Sequence, residues 1–514
     1  MTRLTRHDLG LLFAGAVLLT LAFPPFHFFV PSFVCLVPVV LLIEKGNHDR
    51  LPLRRQVQYG FLFGLFSNGL LLYWMVVALW RFTPLSILGY TGTVLLLSTF
   101  SAGLFALCGW IVRASRVSIL VAFPTLWTAL EWVVAHLGDL RFPWLGLGTS
   151  LTGFPTVVQL ADIVGARGIT LMLALANAAL ASAWLARRHR QKVVGMVGAV
   201  GLGVILALTY GIAREKTLGV RPLGEVAVLQ PNLGYDTKRD PELRDSIFSA
   251  ALESTSAVDL EVNPDLIVWP EVALPDFLLW RPDWMGRIAA FARSRNTSLV
   301  IGALDFERLP DSTAIRYNAA FVVDSTGRHE DYPVYRKQYL VPITEQVPFL
   351  HGWTLGIRWF GNLGAGDGGT VYELGMGAFG VLICYESAFE NLAREYRVNG
   401  ADFLVNITND AWFGRTTTPY QHASHLVMRA IENRMGVVRS ANTGVSQLLD
   451  PLGRAHGSTR LEVATATAGI LQTSENVTLY SRLGDWVGGT TMLMALTLIV
   501  YAWWRGRDEG LITR

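Results

Sequence analysis

Eight long apolar stretches, at about 9–25, 28–43, 57–80, 84–112, 117–136, 163–186, 193–213 and 488–504, constrain this chain more than any other feature. A helix needs about 20 mostly apolar residues to cross roughly 30 Å of hydrocarbon. Hydrophobic residues make up 51% of the chain and charged residues only 16%, whereas soluble domains carry about 25% charged residues. Part of the chain therefore belongs in lipid, and about eight spans are expected. Only the Pro24-Pro25 turn divides the first two, and 84–112 is long enough to tilt. Pro24-Pro25-Phe26-His27 is a poor signal-peptide cleavage site, so the first stretch is expected to remain as a span.

The basic residues set an orientation. Arg3 and Arg6, then Lys45, Arg50, Arg54 and Arg55, Arg113 and Arg116, Arg187, Arg188, Arg190 and Lys192, and finally Arg505, Arg507 and Arg514 all fall on one side, 15 in number. Opposite them stand Arg81, Arg141 and Arg167. The positive-inside rule puts both termini in the cytoplasm and residues 214–485 on the far side. Residues 214–485 hold 25 Lys and Arg against 32 Asp and Glu, so this segment is mildly acidic. It has no basic stripe, which argues against nucleic acid as a partner. Glu131, Asp139 and Asp162 lie near the outer ends of the spans and are expected to pair with Arg141 or Arg167.

Between Arg214 and Asp485 the pattern changes to short apolar runs separated by polar, helix-like stretches. The runs Val226–Leu229, Leu266–Trp269, Leu299–Leu304, Ala320–Val323, Phe379–Ile383, Phe403–Ile407, Val437–Ser440 and Ser446–Asp450 read as buried strands. Helices are expected at 240–260, 283–296, 387–399 and 420–434. Such alternation favours an α/β layered domain. The expected organisation is 1–213 as seven spans, 214–485 as an extramembrane domain, and 486–514 as the last span with its tail.

Three residues stand out in the extramembrane part. Cys35 and Cys108 lie inside spans, which leaves Cys384 as the one cysteine of 214–485. A single buried cysteine is commonly just a small hydrophobe. Cys384, however, ends the apolar run Gly380-Val381-Leu382-Ile383, and strand tips are where catalytic groups of α/β sheets collect. Trp269-Pro270-Glu271 follows Leu266-Ile267-Val268 in the same way and puts a carboxylate at another tip. Lys337 is one of only five lysines beside 38 arginines, and a lysine offers a compact point charge that arginine does not. His422 and His425 are three apart on a predicted helix, but no thiol or acid stands at ligand spacing, so no metal or cofactor is expected.

Glu271, Lys337 and Cys384 occur in the order and local context of the Glu–Lys–Cys triad of the nitrilase superfamily, which the segment 222–475 resembles. Further matching pieces are Arg141-Phe142-Pro143-Trp144, Tyr335-x-Lys337-x-x-Leu340-Val341-Pro342-x-x-Glu345, Cys384-Tyr385-Glu386 and Asn409-Asp410-Ala411-Trp412-Phe413-Gly414. Combined with the spans, they make the whole chain similar to the apolipoprotein N-acyltransferase family. The resemblance implies a membrane bundle carrying a nitrilase-like αββα sandwich, in a bacterial inner membrane with the catalytic domain on the periplasmic side. It implies Cys384 as nucleophile, Glu271 as general base, and Lys337 as the cation facing the thiolate and the oxyanion, together with a backbone N–H near Tyr385. Glu345, Tyr385, Glu386, Asn409, Trp412 and Trp144 are the supporting or substrate-binding candidates; Trp412 and Phe413 read either as a hydrophobic lid over the lipid or as core. The implied acyl donor is a phospholipid, phosphatidylethanolamine, and the acceptor is the α-amino group of a diacylglyceryl-cysteine apolipoprotein. Family members tend to carry a Trp shortly after Gln-x-Asn; here Gln230-Pro231-Asn232 is followed by Lys238-Arg239 at that place.

Two other readings fit the same residues. A membrane-tethered amidase or nitrile hydrolase would pass the acyl group to water. A transport or assembly protein could carry an inert nitrilase-like domain.

Overall fold

The computed structural model describes residues 4–80, 84, 86–308, 314–349 and 363–508. Arg3, Arg81, Arg514 and most of the Gly-rich stretch 352–370 lie outside the described residues. The chain divides into two compact units, a helical one (Met1–Leu137, Arg141–Lys216 and Asp485–Arg514) and a sheet unit (Gly138–Leu140 and Thr217–Gly484).

Among the described residues of the helical unit, five helices are long and apolar enough to cross a membrane: Phe29–His48, Ser86–Ser115, Ala161–Leu185, Arg190–Thr217 and Trp486–Arg507. The other predicted spans also fall on helices. Arg6–Ala22 and Ile119–Ala135 have 17 residues each, and Leu53–Leu71 is followed by Trp74–Trp80. Only 6% of the apolar window of Arg190–Thr217 is buried. A helix that is apolar all round and left uncovered suits lipid contact. Several buried charges pair locally, as a low-dielectric setting favours. Asp162 accepts from Arg214 Nε at 3.0 Å and from the Tyr210 hydroxyl at 2.7 Å, and Arg167 holds Asp485 at 2.7 Å. Glu131 accepts from Trp127 Nε1, the Leu147 N–H and the Thr170 hydroxyl at 2.8–3.0 Å. Asp139, which belongs to the sheet unit, accepts from the Phe349 N–H at 2.9 Å.

Among its described residues the sheet unit has thirteen strands: β1 (Arg221–Gln230), β2 (Leu266–Val268), β3 (Leu274–Phe277), β4 (Ser298–Arg308), β5 (Ala314–Val323), β6 (Tyr335–Arg336), β7 (Val371–Leu374), β8 (Gly377–Ile383), β9 (Phe403–Thr408), β10 (Gly436–Ala441), β11 (Gln447–Leu449), β12 (Ala455–His456) and β13 (Thr465–Thr473). They form two sheets. One runs β13-β1-β2-β4-β5-β6 with β3 beside β4, and the other runs β12-β11-β10-β9-β8-β7. β1, β2 and β4 are parallel, as are β8, β9 and β10. Parallel strands bury both faces, which is why these segments read as unbroken apolar runs.

Helices Arg244–Val262 and Pro282–Arg295 cover the first sheet, where Phe248, Trp284 and Ile288 pack with Ile267, Trp269, Leu299 and Phe321. Helices Glu390–Val398 and Thr418–Asn433 cover the second. The sheets face each other, and the Ser440 hydroxyl donates across to the Leu229 carbonyl at 2.8 Å. The layering is αββα. All eight predicted strands and all four predicted helices are present. Five strands, β3, β6, β7, β12 and β13, were not anticipated.

Close approach at one glycine positions the site. A Cβ on Gly302 of β4 would lie 2.2 Å from the Pro270 carbonyl oxygen and 2.8 Å from Glu271 Cα. Backbone cannot yield as a flexible side chain can, and overpacking costs about 1–3 kcal/mol. Gly302→Ala is therefore expected to lower the melting midpoint and to displace Glu271; a variant with unchanged melting and unchanged reactivity at Cys384 would contradict this packing.

Candidate active site

The site is assembled where parallel strands of both sheets end. Glu271 follows β2, Cys384 follows β8, and Asn409 and Asp410 follow β9. Lys337 comes next after β6. Cys384 opens a 3-10 turn, Cys384–Ala388, with φ +53°. A non-glycine residue in that region costs about 1–3 kcal/mol and persists only where surroundings over-determine it. Val272, directly after Glu271, has φ +46°, an outlier for a β-branched residue. Strain thus flanks both the thiol and the carboxylate.

Glu271 is buried, with Oε1 accepting from Asn318 Nδ2 at 2.5 Å and Oε2 from the Asn409 N–H at 2.6 Å. Lys337 is fully buried, and its Nζ stands 2.8 Å from both Glu345 oxygens. Asn318 serves both groups, because its carbonyl also accepts the Lys337 N–H at 2.9 Å. Glu386, completely buried, works as a clamp. It accepts from the N–H groups of Gln338 (2.6 Å), Tyr339 (3.2 Å) and Ile383 (2.6 Å) and from the Tyr335 hydroxyl (2.9 Å). Those bonds tie the residues next to Lys337 to the residue next to Cys384.

The electrostatics follow from burial and these charges. Burial and the Glu271 charge push the half-buried Cys384 thiol up, and Lys337 opposes them. Burial raises the Glu271 carboxyl as well, against the pull of Lys337. Burial works against the Lys337 ammonium, but Glu345, Cys384 and Glu271 outweigh it and raise the group above the ordinary lysine range. Burial pushes Glu386 up to about 7, although Ile383 and Gln338 N–H donors and Lys337 pull it down. A thiol pushed up in this way is protonated at rest and needs a base at the moment of attack.

Beneath Cys384 lies a buried polar cluster. His422 Nδ1 is 2.9 Å from Asp410 Oδ1, and its Nε2 is 2.9 Å from the Cys384 carbonyl oxygen. Arg439 donates to Asp410 Oδ2 at 3.0 Å and to Asn406 Oδ1 at 2.6 Å.

Residues 15–179 match the family model described as the apolipoprotein N-acyltransferase N-terminal domain, and residues 225–509 match that of carbon-nitrogen hydrolase. An apolipoprotein N-acyltransferase of Geobacter metallireducens is 32% identical over 509 residues, covering 96% of this chain and 95% of its own. The chain belongs to the apolipoprotein N-acyltransferase family. A member from Bradyrhizobium diazoefficiens is also 32% identical, over 95% of this chain and 93% of its own. Among solved structures, the C. elegans NitFhit protein aligns with 50% of this chain and 61% of its own at 20% identity, with a TM-score of 0.39.

Within this apolipoprotein N-acyltransferase fold, the expected site residues are distributed as follows. Glu271, Lys337, Cys384, Glu345 and Glu386 come together. Asn409 joins them through its backbone N–H, while its side chain caps the turn at Ala411 and accepts from Asn442 at 2.9 Å. Tyr385 is buried edge-on against Phe389, with ring centres 5.0 Å apart. Trp412 is half-buried and meets Tyr235 edge-on at 5.2 Å. Trp144 belongs to the helical unit, buried against Trp74 and Phe142. Among the described residues, no group of three or more His, Cys, Asp or Glu is placed to hold a metal ion.

Sequence reasoning missed Asn318, Asp410 and Arg439 as members of the site, and weighed His422 only as a metal ligand. It also read Lys238 only as a departure from the family pattern. The structure buries Lys238 against Glu271, with Nζ donating to the Glu271 carbonyl at 3.2 Å. Its neighbour Arg239 lies 3.8 Å over the Tyr235 ring.

Burial brings Lys238 down to about 7, with the Glu271 charge pulling the other way. The unfolded chain holds that proton up to about pH 10.4, so between those values the unfolded state binds more protons and this lysine's cost shrinks as pH rises. Lys238→Met is expected to melt above wild type at pH 7, with the gap closing towards pH 10. A gap independent of pH would contradict a buried, proton-poor lysine.

Proposed function

We propose that this chain transfers an acyl group from a phospholipid to the N-terminal amine of a diacylglyceryl-cysteine apolipoprotein, through a thioester on Cys384. The observation that carries the reading is a thiol, a carboxylate and an ammonium, far apart in sequence, brought near enough at the strand ends for each to shift the proton affinity of the others. The near-full-length kinship to apolipoprotein N-acyltransferases supports it.

In the first half-reaction the Cys384 sulfur attacks the ester carbonyl of the phospholipid while Glu271 takes the thiol proton. The carbonyl oxygen becomes negative, and Lys337 with the Tyr385 N–H stabilises it. The tetrahedral adduct collapses, the C–O bond breaks, and Glu271 returns the proton to the lysophospholipid oxygen. In the second half the acceptor amine attacks the thioester and gives a proton to Glu271; the C–S bond breaks, and Glu271 passes that proton to the departing sulfur to regenerate the thiol. Two transfers through one covalent intermediate make the kinetics ping-pong. Glu345 keeps Lys337 charged and aimed, and Glu386 fixes the spacing between the lysine loop and the nucleophile turn.

Phosphatidylethanolamine is the donor in this reading. The helical unit crosses a bacterial inner membrane eight times, with both termini cytoplasmic and the catalytic unit periplasmic. A catalytic unit joined in one chain to membrane spans suits substrates that stay in lipid, since extracting a chain costs about 0.8 kcal/mol per CH₂. The half-buried Trp412 and Phe413 cover the acyl chain.

Purified protein given phosphatidylethanolamine and a diacylated lipopeptide is expected to yield N-acylated lipopeptide and lysophospholipid in equal amounts, and Cys384→Ser neither. Free fatty acid with no acylated lipopeptide would overturn the reading in favour of a hydrolase. Lys337→Met is expected to lower the acylation rate about 10²–10³-fold, the usual loss for one oxyanion donor; a change below tenfold would remove the lysine from that role.

A further inference from the structure

His422 is completely buried on the helix Thr418–Asn433, and each of its ring nitrogens faces an oxygen. The Cys384 carbonyl, 2.9 Å from Nε2, carries no proton and can only accept. Asp410 Oδ1, 2.9 Å from Nδ1, belongs to a carboxyl that also receives Arg439 Nη2 at 3.0 Å and the Thr408 hydroxyl at 3.3 Å. The Arg439 guanidinium paired with it, both side chains being buried, favours the ionised carboxylate, so it too only accepts. Two acceptors require two ring N–H groups, which is the imidazolium.

The consequence lies in the next peptide bond. The carbonyl of Cys384 and the N–H of Tyr385 belong to one planar trans peptide and point in opposite directions. A ring that grips the carbonyl therefore aims the N–H. A cationic donor also polarises the peptide and strengthens that N–H as a donor in turn. The grip matters here because Cys384 is held at φ +53°. Asn406 braces the same turn, taking Arg439 Nη1 on its Oδ1 and donating from Nδ2 to the Leu382 carbonyl at 3.0 Å.

We propose that His422, as an imidazolium, is a positioning residue that orients and polarises the Tyr385 N–H towards the oxyanion; this rests on the thioester mechanism above. It touches no substrate and acts through the Cys384 carbonyl.

Two variants separate its contacts. His422→Asn keeps a donor for Asp410 but loses the reach to Cys384, whereas His422→Gln keeps the reach without the charge. With a p-nitrophenyl acyl ester as donor, His422→Asn is expected to slow Cys384 acylation about 10²-fold, the scale of one lost oxyanion donor, with KM little changed. His422→Gln should recover much of that loss. Alkylation of Cys384 by iodoacetamide forms no oxyanion and should change far less in both variants. Parallel losses of acylation and alkylation, or full acylation in His422→Asn, would overturn the proposal. Nitrogen-15 spectra of wild type at pH 7, with the ring assigned by comparison with His422→Gln, should show both nitrogens protonated; a neutral ring would also overturn it. If the nitrophenyl ester acylates wild type while phospholipid gives no lysophospholipid, the proposed substrate fails and the role of His422 is still decided by the variants.

Discussion

The contact on which the rest of the site depends is the ion pair between Lys337 and Glu345. An ammonium with no solvent exposure is tolerated only when paired, because removing one partner of a buried pair typically costs about 3–5 kcal/mol. Both Glu345 oxygens lie 2.8 Å from Lys337 Nζ, and Glu345 also accepts the Val341 N–H at 2.8 Å. That second bond fixes the carboxylate to the loop that carries the lysine. The ammonium so held is what opposes the upward push of burial on both the thiol and Glu271. Without it, burial would favour neutral forms that have no electrostatic hold on one another.

Around this charge the fold supplies order at two depths. Nearest, Asn318 joins Glu271 to the Lys337 backbone, and Glu386 joins the lysine loop to the Cys384 turn. Deeper, Asp410, His422, Arg439 and Asn406 fill the base of β8, β9 and β10 with a closed set of hydrogen bonds. A satisfied buried network rigidifies, whereas a partly satisfied one destabilises. This helps explain how Cys384 and Val272 can stay at positive φ. The αββα layering then matters for one reason: it brings the ends of parallel strands from two sheets to one place.

Much of this was legible in the sequence. The parallel strands were readable because both their faces are buried, so they appear as apolar runs with chemistry-bearing residues just past their ends. β13 escaped because its Thr-Ala-Thr-Ala start is neither apolar nor strongly alternating, and β6 and β12, at two residues each, leave no pattern. Leu53–Leu71 falls short as a span by composition, for it opens on Arg54, Arg55 and Gln56. Asn318, Asp410 and Arg439 were missed for a common reason. A polar residue inside or beside a strand looks like solvent-facing alternation until the opposing sheet is known. His422 was noticed, but metal-ligand spacing was the wrong test; its partners are a backbone carbonyl and an acid twelve residues earlier. Lys238 shows the opposite case, where a mismatch with the family pattern marked a position that the structure fills with a buried lysine against the Glu271 carbonyl.

The central claim is that one sulfur carries the acyl group between two lipids. The most direct measurement is rapid-quench mass spectrometry of the purified protein mixed with phospholipid and no acceptor. The account predicts a fatty-acyl mass on the peptide containing Cys384, removed by hydroxylamine, and formed far more slowly in Glu271→Gln. An adduct on another residue, or turnover of phospholipid with Cys384 never modified, would contradict it.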